Sequence, residues 1–427
     1  SREPFWRDLE HIVNNFKIRG SWGELGNCNT TAFYPFYQTM PTGVENSGWL
    51  INGKKPNTAS APGIVSAEMT WETVRSWNIG FDFGLLNNRL TGSFDYFVRN
   101  TLDMIGPAPQ LPATLGATVP KVNNADMKAW GFEVEVSWRD RIKDFNYGVK
   151  FVLSDDQRKV TRYPNEELNR NQWYAGRMDG LVWGYETVGI AKTDAEMEAH
   201  LASLPNGGQS QLGSKWAAGD IMYKDLNGDG KISSGDGTLN DLGDLKVVAN
   251  TQLRFKYGLT LDASWKGFDF SAFFQGVGKR DVVVGGPYFW GANGQGMWQA
   301  AAFKDHMDYF RPEDTESVFG PNVDAYYPRV IFGGGSSEGG KNTLTQSRYV
   351  QNGAYIRLKN LQLGYTLPST ITKKFAVNSL RVYVSGDNLW TGTKMRVFDP
   401  EVLGSTGDAG KAYPLARVWS VGLNVNF

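Results

Sequence analysis

The chain has little of what most enzymes and redox proteins depend on. Its 427 residues include one cysteine, Cys28, and three histidines, His11, His200 and His306. A lone thiol excludes an intrachain disulfide. No apolar run reaches the roughly 20 residues that a membrane-spanning helix needs, and the mean hydropathy is −0.39. Lys+Arg and Asp+Glu balance at 44 each, so no field of one sign draws in nucleic acid. No Ser/His/Asp spacing, paired cysteine or phosphate loop stands out. His200, in a short helix expected over 193–204, and His306, beside Asp305 and Asp308, read as solvated loop residues. The chain does not read as an enzyme.

Other things are abundant. There are 50 glycines and 15 tryptophans, and aromatics reach 13%. Such a composition suits tight turns, bending strands and interfacial aromatic girdles. In Leu253–Trp265 the odd positions Leu253, Phe255, Tyr257, Leu259, Leu261, Ala263 and Trp265 are apolar, and the even ones polar or glycine. A strand turns alternate side chains to opposite faces, so this one carries one greasy and one wet stripe. It is long enough to cross a bilayer, which takes roughly 9–11 tilted residues.

The pattern repeats in 16–22, 77–85, 90–98, 132–138, 145–153, 268–274, 380–384 and 419–427. In Tyr355–Leu367 its phase flips, and one inserted residue near Lys359–Asn360 explains this as a β-bulge. Ten strands are therefore expected. Links near 86–88, 140–144, 266–267 and 368–379 are short. Those near 25–76, 99–130, 155–252, 277–353 and 388–416 are long. Alternating short and long links are the habit of an outer-membrane barrel with long outer loops. The fold class expected is all-β, a transmembrane antiparallel barrel. The end of the chain, Trp419, Val421, Leu423, Val425 and Phe427 on one face, is similar to the signal read by the barrel-assembly machinery.

Longer motifs carry a family resemblance. They are Phe16-Lys-Ile-Arg-Gly-Ser-Trp-Gly-Glu-Leu-Gly-Asn27, Asn87-Asn-Arg-Leu-Thr-Gly-Ser-Phe-Asp-Tyr96 and Trp130-Gly-Phe-Glu-Val-Glu-Val136. Further along stand Gly219-Asp-Ile-Met-Tyr-Lys-Asp-Leu-Asn-Gly-Asp-Gly230, Tyr355-Ile-Arg-Leu-Lys-Asn-Leu-Gln-Leu-Gly-Tyr-Thr-Leu-Pro368 and Phe398-Asp-Pro-Glu401. In this order they resemble the later barrel of SusC/RagA-type TonB-dependent outer-membrane transporters. The resemblance implies ten strands of a 22-stranded barrel in the bacterial outer membrane, with residues 1–427 as its C-terminal part and the plug domain outside this chain. It implies energised import of oligosaccharides or peptides. The partners implied are a SusD-like surface lipoprotein as lid, the plug and remaining strands, the TonB complex, and membrane lipid or lipopolysaccharide. A passive diffusion porin, or a barrel-based surface enzyme or adhesin, is the alternative. The chain opens with Ser1-Arg-Glu-Pro and shows no export signal, which is expected of a C-terminal portion.

Two local features suggest sites. Asp225, Asn227, Asp229, Lys231, Ser233 and Asp236 fit a twelve-residue calcium loop, with Gly230 at the sharp turn. Lys231 would offer its carbonyl, and Asp236 stands where glutamate is usual. A structural calcium, or magnesium in its place, would stiffen the loop; a metal-free Asp/Asn/Gly turn is the alternative. Trp173, Trp183, Tyr288, Phe289, Trp290 and Trp298 in the long links offer flat faces for sugar rings, or pack the loops together. Glu133 and Glu135, if inward, face the lumen.

Overall fold

Alternating sequence produces alternating structure. In the computed structural model, which describes residues 6, 9, 11–28, 37–44, 49–66, 69–108, 114, 119–293, 302–332, 337–403 and 413–427, ten long strands form one sheet. They are β1 (Val13–Asn27), β2 (Glu72–Leu85), β3 (Leu90–Ile105), β4 (Asn123–Ile142) and β5 (Phe145–Arg162). The second half adds β6 (Arg254–Trp265), β7 (Phe268–Lys279), β8 (Tyr355–Thr366), β9 (Ser379–Thr393) and β10 (Val418–Asn426). Each pairs antiparallel with its neighbours in chain order. The two outermost strands find no further partner among the described residues. Unpaired edges are prohibitive in lipid, so this sheet is part of a larger barrel.

Register aligns the apolar residues into one belt. Trp22, Trp77, Val98, Trp130 and Gln157 face across β1–β5, and two residues lower lie Gly20, Ile79, Tyr96, Phe132 and Asp155. On β6 and β7 the belt runs through Leu259 and Phe274, Leu261 and Ala272, Ala263 and Phe270, and Trp265 and Phe268. On β5 it extends only from Phe145 to Leu153, because Asp155 and Gln157 continue the same face. About nine residues per strand fit the crossing length of a tilted membrane strand.

Several strands outrun the alternating pattern. β3, β4 and β5 have 16, 20 and 18 residues, so backbone pairing continues where both faces are polar and periodicity is silent. The bulge falls at Lys359, between Leu358 and Asn360, and restores the phase there. A second irregularity was not legible. Phe255 adopts a left-handed φ of 54°, and its N–H donates to Asp155. The greasy stripe of β6 therefore begins at Tyr257 rather than Leu253.

Three of the short links are tight, and the fourth, between Thr366 and Ser379, holds a helical turn at Ser369–Thr372. Lys266 and Gly267 both have positive φ, 45° and 90°, the backbone of a two-residue hairpin turn. The long links build an outer module with its own core, centred on Tyr185, Tyr223, Ile232, Phe289, Trp290, Tyr327 and Tyr349. It contains the ribbons 181–185 with 245–250, 187–190 with 221–223, and 281–283 with 350–352. It also contains helix α1 (Asp194–Ala202), capped by the Thr193 hydroxyl accepting from the Glu196 N–H.

Candidate functional site

The inner face of the sheet is ionic. Arg19 on β1 stands opposite Gly80, which stands opposite Asp95 on β3. Its guanidinium spans the glycine to reach Asp95 at 2.7 Å and also holds Asp82 at 2.9 Å. A Cβ at Gly80 would sit 2.4 Å from the Asp95 carboxylate, so the glycine makes room for the triad. Along the same face Lys150 meets Glu135 at 2.9 Å, Lys256 meets Asp156 at 2.8 Å and Arg381 meets Asp269 at 2.5 Å. Glu133 lies opposite Asp95 and Glu135 opposite Ser93, so both face inward.

Part of the last long link folds onto this face. Arg357, nearly buried on β8, donates to Asp399 at 2.7 Å and Glu401 at 2.8 Å, and Lys359 adds a second cation to Glu401. Arg280 donates to the carbonyls of Pro400 and Leu403. The 398–401 motif is thus an anchor.

The outer module reassigns the aromatic candidates. Phe289 is 0% exposed and Trp290 6%, each ringed by Tyr327 and Tyr349, so neither presents a face to cargo. Trp173 packs on Tyr163, Trp183 is half-buried in its ribbon, and Tyr288 stacks on Phe303 while staying exposed. Trp298 lies outside the described residues. The module is pinned by a buried charge cluster that sequence spacing gave no sign of. Asp220 accepts from Arg329 at 2.7 and 2.8 Å, from Asn342 at 2.8 Å, and pairs with fully buried Lys341 at 3.0 Å. Lys341 also faces Glu338, whose carboxyl is held down to about 2, first by the Ser214 hydroxyl. Two long links are locked together there.

The 225–236 loop closes differently from its sequence expectation. Asp225 accepts the N–H groups of Gly228 and Gly230, and Asp229 accepts that of Lys231. Asp236 turns away to cap Thr238. The carboxylate that reaches back is buried Asp244, accepting from Leu226 and Ser233. Burial raises the Asp244 carboxyl, and the negative charges of Asp225 and Asp229 raise it further. Among the described residues no three His, Cys, Asp or Glu side chains form a ligand set by themselves. The side-chain oxygens of Asp225, Asn227 and Asp229 all accept backbone N–H groups of the loop, the bonding pattern of an Asp/Asn/Gly turn.

Both loop histidines are engaged. His306 accepts the Phe303 N–H at Nδ1 (3.1 Å) and lies 3.0 Å from the Phe289 carbonyl through Nε2, so neither nitrogen is positioned to activate water. His200 contacts Gln209, and burial lowers its pKa. On β10, Trp419, Val421, Leu423 and Val425 share the outward face with the terminal Phe427, and all are exposed.

An apolar belt around an ionic inner wall, on strands long enough to cross a bilayer, defines a section of outer-membrane β-barrel. A model described as the TonB-dependent receptor-like β-barrel matches residues 6–265, and the chain belongs to that family. TonB-dependent receptor P3 of Formosa agariphila is 26% identical over the whole chain, which covers 41% of its length. TonB-dependent receptor SusC of Bacteroides thetaiotaomicron is 23% identical, with 39% of its length covered. A structure of the RagAB peptide transporter superposes with a TM-score of 0.71 at 22% identity, over 98% of this chain and 41% of that one. The chain spans about two fifths of the length of these relatives.

Proposed function

We propose that this chain is the C-terminal wall and outer module of a transporter that imports oligosaccharides or peptides across the outer membrane at the expense of TonB-coupled energy. The observation that carries the reading is the ionic inner face within an apolar belt, in a chain of the TonB-dependent receptor-like family. The plug, the remaining strands and the TonB complex act from outside residues 1–427, and a SusD-like surface lipoprotein covers the outer module as a lid. Lipid or lipopolysaccharide wets the belt, and Trp419 to Phe427 serve as the assembly signal. Calcium, or magnesium in its place, sits in the 225–236 loop on Asp225, Asn227, Asp229 and the Lys231 carbonyl. The gathering of Asp225, Asp229 and Asp244 around this loop supports the reading, because calcium takes oxygen ligands from such carboxylates.

The test is uptake by cells carrying the whole protein. Dissipating the proton-motive force should stop accumulation of its cargo while leaving diffusion through unrelated porins unchanged. Uptake that persists without energy would favour the passive porin.

A further inference from the structure

We infer that the outward face of the wall, where β2 to β5 leave the bilayer, holds a phosphate group of lipopolysaccharide between Lys128 and Lys159. The inference rests on one part of the proposed reading, that lipid wets the belt, and names the lipid and the side chains that hold it. It needs neither energised transport nor any particular cargo. A plug would lie on the opposite, inner face, and at this level β3 and β4 are already paired on both sides.

Register sets the outward side chains in rows. Trp22, Trp77, Val98 and Trp130 form the aromatic row at the outer edge of the belt. Two residues nearer the long links, the next row reads Glu24, Arg75, Asn100, Lys128 and Lys159. Its single carboxylate, Glu24, is held by Arg75 at 2.9 Å. Beyond the row, Asp103 and Asp126 are both held by Arg162 at 2.8 Å, and below it Asp155 is held by Arg254. Lys128 and Lys159 are left without an anionic partner among the described residues, although they stand directly opposite each other. Like charges in that position destabilise a strand pair.

An anion between the two ammonium groups removes that repulsion. Directly opposed Cβ atoms lie about 4.5–5.5 Å apart, so both lysines can close on the oxygens of one phosphate. Asn100, on the other side of Lys128, offers an amide donor. Depth identifies where the phosphate comes from. Tryptophans mark the level at which lipid headgroups begin, and this row lies about 7 Å beyond them. Lys128 stands 5.9 Å from the centre of the Trp130 ring, at that boundary. Below it Trp77, Ile79 and Phe81 are exposed to the acyl chains of the same lipid. The short links join β2 to β3 and β4 to β5 at the far end, so this end is the outer one, and its leaflet is lipopolysaccharide.

The experiment measures lipid binding to the delipidated full-length protein in detergent by native mass spectrometry. The probes are phosphorylated lipid A, the same lipid A with its phosphates removed, phosphatidylglycerol and inorganic phosphate. Phosphorylated lipid A should be retained in preference to the other three. Lys128→Gln with Lys159→Gln should weaken its binding about 30-fold, the effect of two lysines at an anionic surface. Lys128→Arg with Lys159→Arg should keep it. Arg99→Gln with Arg158→Gln removes the same charge from the inner face beside Ala129 and should leave binding unchanged. Equal loss in that inner-face variant, or dephosphorylated lipid A bound as tightly as the phosphorylated form, would overturn the proposal. So would lysine-dependent phosphatidylglycerol binding as tight as that of lipid A, or displacement of lipid A by millimolar inorganic phosphate. Each of these failures leaves the lipid-wetted belt standing. A protein that binds none of the lipids would end this proposal and the belt together.

Discussion

Leu261 sits at the middle of the β6 belt, between Tyr257 and Trp265, with Val149 and Ala272 beside it on the outward face. Arginine there must carry a guanidinium to the bilayer midplane, at a cost of about 2–4 kcal/mol. At 1.4 kcal/mol per decade, Leu261→Arg should shift the folding equilibrium in lipid vesicles by about 30- to 700-fold. Ser271, on the neighbouring strand, faces the lumen opposite Asp262, so the same arginine at Ser271 should cost little. The assay is urea titration of the whole protein in vesicles, with the folded fraction read from its resistance to heat in gels. Equal tolerance at both positions, or a larger loss at Ser271, would refute the assignment of faces.

Other perturbations probe other levels of the structure. Gly80→Ala should displace the Asp95 carboxylate and break the Arg19 triad, lowering folded yield; an unchanged yield and melting temperature would show that the clash is relieved elsewhere. Phe427→Asp should reduce assembly into the outer membrane, and normal surface levels would remove the assembly-signal role. Asp225→Asn with Asp229→Asn should abolish any calcium-dependent protease protection of the 225–236 loop; identical cleavage of the unmodified protein in calcium and in chelator would dismiss the metal. Because the Glu338 carboxyl is depressed to about 2, its stabilisation is complete above the ordinary carboxyl range near 4.5 and fades as the pH falls through 2. Amide exchange at Ser214 and Lys215, corrected for intrinsic rates, should therefore stay slow at pH 4; release at that pH would contradict the contact.

How much of this was legible depended on whether a physical boundary imposed a period. Lipid on one side and water on the other write a two-residue alternation, so the strands, their count and even the bulge at Lys359 could be read directly. Where the strands leave the bilayer the alternation stops, and the outer reaches of β4 and β5 were invisible. The core of the outer module joins residues such as Tyr185, Phe289 and Tyr349 from separate links, and no period marks such packing. Whether Phe289 and Trp290 were sugar platforms or loop packing stayed open in the sequence for that reason, and the structure makes them packing. The calcium pattern placed Asp236 by spacing alone. Gly235 and Gly237, with φ of 66° and 88°, turn the chain away there, and Asp244 returns instead. Asp220 and Lys341 lie far apart in sequence, and although Asp220 falls within the 219–230 motif, nothing in it points to Lys341.

The most direct test of the central claim is nitroxide scanning of β6 from 257 to 265 in lipid vesicles. Labels at Leu259, Leu261 and Ala263 should be quenched by oxygen dissolved in the bilayer, and labels at Gly258, Thr260 and Asp262 by a water-soluble nickel chelate, with the two profiles out of phase by one residue. Profiles that rise and fall together along the strand would contradict a wall with lipid on one face and a hydrated lumen on the other.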